Sequence, residues 1–202
     1  YTKKKALSSK LCKKFIDTYH KSDLKNERGI KSFTKKYSDL SKTTSDFDEY
    51  GNIISYSSTD IHIDIPVFKT KPEWGKLLDE MISVLNKGLE VYYSKYFVAF
   101  NEERGFPSGL FKNLQLAPVF NMQYYKPGKG FYDWHCERSQ PQNKSRVLAW
   151  MFYLNDVTDG GGTEFYHYKH KEKAEQGKLV IFSSDFIHMH RSIISKTQDK
   201  YI

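Results

Sequence analysis

Between Ser8 and His20, apolar side chains recur at Leu11, Cys12, Phe15, Ile16 and Tyr19. That spacing marks one face of a helix, with Ser8 or Ser9 placed to cap its N-terminus and core packing as its expected role. Residues 21–60 lose the period and are rich in Lys, Ser, Asp and Thr. Within them, 41–58, around Tyr50-Gly51-Asn52, predicts a long loop or hairpin, the kind of segment that covers a substrate in an enzyme. Ile61-His62-Ile63-Asp64-Ile65 alternates, so a strand is expected with its isoleucines inward and His62 outward, away from any metal role. Thr70-Lys71-Pro72-Glu73 reads as a capping box. The helix it opens carries Trp74, Leu77, Leu78, Met81, Ile82, Leu85, Leu89, Tyr92, Tyr93 and Tyr96 along one stripe, to about Phe97. Such a stripe is a packing face that backs a sheet.

From Leu114 onward the pattern changes to short strands divided by glycine and proline. Six are expected: Leu114 to Tyr125, Tyr132 to Glu137, Arg146 to Leu154, Thr163 to Tyr168, Lys178 to Phe182 and His188 to Ile194. Helices first and strands later predict a single mainly β domain of the α+β class, a double-stranded β-helix (jelly roll) braced by N-terminal helices. In that division 1–113 is helical and loop support, with the first strands and a candidate lid at 41–58, and 114–202 is the catalytic core.

Composition adjusts this picture in three places. Aromatic residues make up 16% of the chain, with 15 Tyr and 14 Phe, which suits half-buried sheet faces. The net charge of +8 admits an acidic or nucleic-acid partner. The lysines are nevertheless scattered, with one run at Lys3-Lys4-Lys5, so nucleic acid is a less favoured partner than the charge alone suggests. Two cysteines, Cys12 and Cys136, form no disulfide framework, and reduced thiols fit a cytoplasmic protein. No apolar run has the length of a membrane span, and Tyr1-Thr2-Lys3 does not open a signal peptide. Both ends read as trimmed, since the chain starts without Met and stops at Asp-Lys-Tyr-Ile in a strand-like pattern. Oligomeric state leaves no mark on the sequence.

The chemistry concentrates at Trp134-His135-Cys136-Glu137 and at Ile187-His188-Met189-His190. Residues two apart on a strand share a face, so His135 projects with Glu137, and His188 with His190. If the two segments face each other, an imidazole, a carboxylate and a second imidazole converge. Three such ligands with open positions opposite are the set of a mononuclear non-haem Fe(II) oxygenase. A His-x-Glu pair alone is common on solvated surfaces, so the rest of the chain must supply the specificity.

That rest follows in a definite order: Tyr125-x-Pro-Gly, His135-x-Glu137, Arg146, Tyr153-Leu154-Asn155-Asp156-Val157, Gly160-Gly161-Gly162-Thr163-Glu164-Phe165, Gly177 to Phe182, and His190 ten residues ahead of Lys200. Over Leu114 to Ile202 this resembles the prolyl-4-hydroxylase-like branch of the 2-oxoglutarate/Fe(II)-dependent dioxygenases, the small bacterial and viral members above all. The resemblance implies an oxidoreductase that hydroxylates a C–H bond, most commonly in a protein or peptide with a small-molecule substrate left open, and releases succinate and CO2. Fe(II), 2-oxoglutarate and O2 are the implied cofactors, with ascorbate a candidate reductant. His135, Glu137 and His190 are the implied ligands, with His188 the second choice. Lys200, Tyr153 and Tyr125 are implied to hold 2-oxoglutarate, the lysine as a point charge on its far carboxylate. His188, Arg146, Thr163 and Trp134 are left as supporting or substrate-side positions, with Arg146 open between solvent and substrate. Glu137 stands where most of the family has Asp. Two alternatives stay open: a nucleic-acid demethylase using the same iron chemistry, and a non-catalytic jelly-roll module in which four filled ligands close the metal site.

Overall fold

The computed structural model of the protein describes residues 1–32, 53–96, 114–139 and 141–202. It has the order β1 (Thr2–Lys3), α1 (Ser9–Lys21), β2 (Asn26–Ser32), β3 (Ile53–Asp64), α2 (Ile65–Lys69), α3 (Pro72–Tyr96) and β4 (Val119–Tyr125), then β5 (Leu148–Phe152), β6 (Thr163–Phe165), β7 (His170–Glu172), β8 (Leu179–Ser183), β9 (His190–Ser192) and β10 (Lys200–Tyr201). The strands form three antiparallel sheets: β10-β4-β3-β2, β1-β8-β5 and β7-β6-β9. Mostly β with helices, as expected, the ladders of the described residues do not close into a barrel. No helix among those residues is long and apolar enough to cross a membrane.

Ser8 rather than Ser9 caps α1, its hydroxyl accepting from the Leu11 amide at 3.2 Å. The capping box expected at Thr70 is used differently. Asp64 caps the short α2, accepting from the Val67 amide, and Thr70 closes that helix by donating to the Val67 carbonyl. The predicted strand therefore ends at Asp64, and Ile65 begins a helix. Of the candidate lid, residues 53–58 lie in β3 and 41–52 lie outside the described residues, as does Phe97, the expected end of the long helix.

Alternation along β3 and β4 separates two faces. Ile61, Ile63 and Met122 are buried beside Leu11, Phe15 and Tyr19 of α1 and Trp74, Leu78 and Leu85 of α3. α3 also lies against β8, where Gly88 faces Leu179 so closely that an added Cβ would stand 2.5 Å from its Cδ2. The alternate residues Asp60, Asn121, Gln123 and Tyr125 occupy the opposite face, and Lys200 joins them because it pairs in register with Tyr125. Sheet β1-β8-β5 splits likewise: Leu179 and Ile181 belong to the helix-side core, while Val180 and Phe182 join Tyr153, Val157 and Phe165 in a second one. A cleft of about 1010 Å³ runs between the sheets, lined by Gln123, Tyr125, Phe182 and Lys200 of these faces and also by helix-side residues such as Phe15, Ile63 and Met81. Truncating the fully buried Leu78 to Ala should cost about 2–5 kcal/mol in urea denaturation, because a cavity would open between α3 and the sheet.

Candidate active site

Antiparallel pairing brings the two motifs together. The His135 amide donates to the His190 carbonyl at 3.1 Å and the His190 amide returns the bond at 2.9 Å, as an isolated bridge outside any longer ladder. The residues around His135 are not the regular strand expected from Tyr132 to Glu137. Bridges at Phe131 and His135 alternate with bends, and Glu137 lies in a turn. His135 and Glu137 nonetheless project to one place. Glu137 Oε1 lies 3.9 Å from His135 Nε2 and 3.5 Å from His190 Nε2, and one ligand atom from each of the three residues falls within 4.8 Å of the others.

Both imidazoles are oriented by the backbone. His135 Nδ1 lies 3.1 Å from the Asp133 carbonyl and His190 Nδ1 lies 2.8 Å from the His188 carbonyl. A ring that donates from Nδ1 turns the lone pair of Nε2 towards the site, the tautomer a metal requires. His135 is also stacked on Phe131, ring centres 3.7 Å apart. Burial, helped by the neighbouring His190, pulls its pKa down to about 4, so the ring is neutral at physiological pH. For Glu137, burial opposes ionisation, but the His190 hydrogen bond and the charges of His190, His135 and Arg146 outweigh it and hold the carboxyl below its ordinary range. Two imidazoles that present Nε2 and a carboxylate are the donor set that suits Fe(II).

Deeper along the same cleft stands Lys200, 5% exposed, on β10. Its ammonium lies 5.0 Å from the centre of the Tyr125 ring and 5.8 Å from that of Tyr153. No carboxylate among the described residues pairs with it, and burial lowers its pKa to about 8. A charge left unpaired in such a place is costly unless an anion joins it. Tyr153 is fully buried and its hydroxyl lies 2.7 Å from Thr163 Oγ1, which also contacts Met151 Sδ at 3.6 Å. Thr163, Met151, Phe182 and Tyr125 line the cleft between the triad and the lysine.

Residues 120–202 match the sequence profile of the 2OG-Fe(II) oxygenase superfamily. The chain resembles the prolyl-hydroxylase-like branch of that superfamily. A viral collagen prolyl hydroxylase from Paramecium bursaria Chlorella virus 1, in complex with 2-oxoglutarate, superposes with a TM-score of 0.59 at 17% identity, covering 100% of this chain and 91% of the other. A Pseudomonas putida prolyl-4-hydroxylase gives 0.60 at 15% identity, covering 100% and 87%. A Trichoplax adhaerens prolyl hydroxylase, bound to a peptide fragment of the hypoxia inducible factor oxygen degradation domain, gives 0.59 at 13%, covering 100% and 79%. At such identities the three likenesses speak for the fold. No curated protein sequence matches the chain.

The other positions singled out in the sequence lie around the cluster. His188 does not share a strand face with His190: it ends a 3-10 turn, Phe186–His188, and strand geometry starts only at His190. Its ring stands beside Tyr168 at 4.9 Å, and what it lends the site is its carbonyl. Trp134 turns away to the outer side of the β7-β6-β9 sheet, under the Arg191 guanidinium at 4.3 Å and edge-on to Tyr166. Arg146 meets the second oxygen of Glu137 at 2.9 Å.

The run from Asn155 to Asp159 also forms a clasp that sequence reading passed over. Asn155 accepts from the Tyr201 amide and donates to the Asp199 carbonyl, both at 2.8 Å. Asp159 accepts from Ser195 Oγ at 2.5 Å and from the Lys196 amide, the Thr197 amide and the Thr197 hydroxyl at 2.9 Å each. The run from Asn155 to Asp159 thereby fixes the segment that delivers Lys200. Asn and Asp beside a Gly-rich turn were the available signal. The Ser195 hydroxyl is the main cause holding the Asp159 pKa at about 2, with Thr197 and the Lys196 amide adding to it. A carboxylate depressed on folding stabilises the protein above its unfolded pKa of about 3.9, and that contribution is lost as pH falls through the folded value. The melting-temperature gap between wild type and Asp159→Ala should therefore be full at neutral pH and should narrow from about pH 4 to about pH 2.

Proposed function

We propose that this protein is a 2-oxoglutarate- and Fe(II)-dependent dioxygenase that hydroxylates a C–H bond in a protein or peptide side chain, prolyl being the first candidate. The observation that carries the reading is the pairing, in one cleft, of a three-ligand cluster with a buried lysine that no carboxylate of the described residues neutralises. His135 and His190, through Nε2, and Glu137, through Oε1, would hold the metal. Lys200 would neutralise the far carboxylate of 2-oxoglutarate, with Tyr125 and Tyr153 walling its stem and Thr163 fixing the Tyr153 hydroxyl. When bound, Fe(II) with 2-oxoglutarate and O2 supplies the oxidising chemistry, giving succinate, CO2 and a hydroxylated product, with ascorbate a candidate reductant. The protein's part is orientation and exclusion of water: the Asp133 and His188 carbonyls aim the imidazoles, and Phe131, Phe182 and Met151 keep the walls apolar.

A peptide substrate is favoured by the likeness to the Trichoplax enzyme, which is bound to one. The nucleic-acid alternative gains nothing from the arginines beside the ligands, since Arg138, Arg146 and Arg191 are each paired, with Asp185, Glu137 and Glu164. A reducing, cytoplasmic setting accords with Cys12 and Cys136, neither in a disulfide. The test is succinate formation from 2-oxoglutarate by Fe(II)-loaded protein in air, with prolyl peptides, oligonucleotides and small acids screened for stimulation. Peptide-stimulated turnover supports the proposal; absence of both turnover and 2-oxoglutarate binding to the metal-loaded protein defeats it.

A further inference from the structure

Glu137 carries one methylene more than the aspartate usual at this position in the family it resembles, and that difference creates a problem that the structure answers. A glutamate side chain has an extra rotatable bond and can grip a cation through one carboxylate oxygen or both. Two-pronged binding would occupy a position that a metal holding three protein ligands and a chelating cosubstrate cannot spare. The two oxygens of Glu137 have unlike surroundings. Oε1 faces the two Nε2 atoms at 3.5 and 3.9 Å, while Oε2 is 2.9 Å from Arg146 Nη1 and has no other partner among the described residues. Arg146 is itself placed by its backbone, the amide donating to the Asn143 carbonyl at 3.0 Å just before β5.

We propose that Arg146 is a positioning residue that holds Glu137 one-pronged, by occupying Oε2, and so keeps a coordination position free for 2-oxoglutarate. This rests on the oxygenase reading above. The guanidinium is 46% exposed, so the ion pair contributes little to folding, and its effect is directional rather than stabilising. A guanidinium suits the task better than an ammonium because its planar fork fixes the direction of approach.

The test uses Fe(II) and 2-oxoglutarate without oxygen, following the visible charge-transfer absorption of the iron–2-oxoglutarate chelate, with thermal melting as a control. Wild type, Arg146→Lys, Arg146→Gln and Arg146→Ala should melt alike, and the variants should bind Fe(II) at least as tightly as wild type. The 2-oxoglutarate needed for half-maximal absorption should rise tenfold or more in Arg146→Gln and Arg146→Ala, with Arg146→Lys between, in the range that partners of metal ligands command. An unchanged titration in Arg146→Ala beside a normal wild type overturns this inference alone. So does loss of Fe(II) binding in Arg146→Ala, which would make the arginine necessary for metal capture. A wild type that binds Fe(II) yet develops no absorption overturns the oxygenase reading, and this inference with it.

Discussion

Replacing His190 with alanine is expected to abolish Fe(II) binding at micromolar metal and to reduce 2-oxoglutarate-dependent succinate formation by roughly 100-fold or more, above the range seen when only a partner of a ligand is lost. His188→Ala, two residues away, should retain both. The contrast follows from geometry: the His190 ring presents Nε2 3.5 Å from Glu137 Oε1, whereas the His188 ring stacks near Tyr168 and outside the cluster. His188 aids the site through its carbonyl, which alanine preserves. Metal titration and succinate assay of the two variants side by side decide the matter. Retention of metal by His190→Ala together with loss in His188→Ala would reverse the assignment.

The second large effect is at Lys200, where stability and function should move in opposite directions. An unpaired ammonium buried between Tyr125 and Tyr153 is unfavourable to the folded protein, and Lys200→Met removes the charge while keeping most of the volume. The variant should melt above wild type, yet require at least about tenfold more 2-oxoglutarate, since a buried charge-assisted contact is worth about 1.5–3 kcal/mol. A lower melting temperature with unchanged cosubstrate demand would refute both halves. The pH dependence has a fixed sign. Burial lowers the free-state pKa to about 8, and an anion beside the ammonium must raise it. Below about pH 8 the lysine is already charged and 2-oxoglutarate affinity should be flat. Above it binding must take up a proton, so affinity should fall, by up to about tenfold per pH unit. Lys200→Met should show no such slope.

What could be read from the sequence divides along physical lines. Helices α1 and α3 and the Ile61–Ile63 alternation were legible because one face of each is buried against a continuous core. The strands β4, β5, β6 and β9 lie inside the runs that pattern predicts, and β8 passes the predicted end by one residue, to Ser183. β1, β2 and β7 left no signal: β2 falls in a polar stretch, and the other two are two and three residues long, whereas β10 lies in the strand-like Asp-Lys-Tyr-Ile run. Convergence of His135 with Glu137 was anticipated by strand alternation, although Glu137 sits in a turn, because the bridge to His190 imposes strand geometry only locally. The same alternation misplaces the His188 ring. Asp185 caps a 3-10 turn through the Phe186 amide, and that competing local bond rotates His188 out of register. Asn155 and Asp159 beside their Gly-rich turn mark hydrogen-bonding positions, but their partners in the Lys200 segment lie 36 to 46 residues away, and local pattern does not say which residues they meet.

The paired backbone bonds between His135 and His190 do not belong to a longer ladder, and their one neighbour between the same segments is the Ser192 amide on the Phe131 carbonyl at 2.9 Å. Two bonds of this kind hold little against thermal opening. A metal gripped by both side chains would tie together distant points of the chain and make that opening rare. Iron would then serve as a mechanical fastener as well as a reagent. Amide exchange at these two positions should slow sharply on loading, which makes the pair a built-in report of whether a given molecule carries its metal.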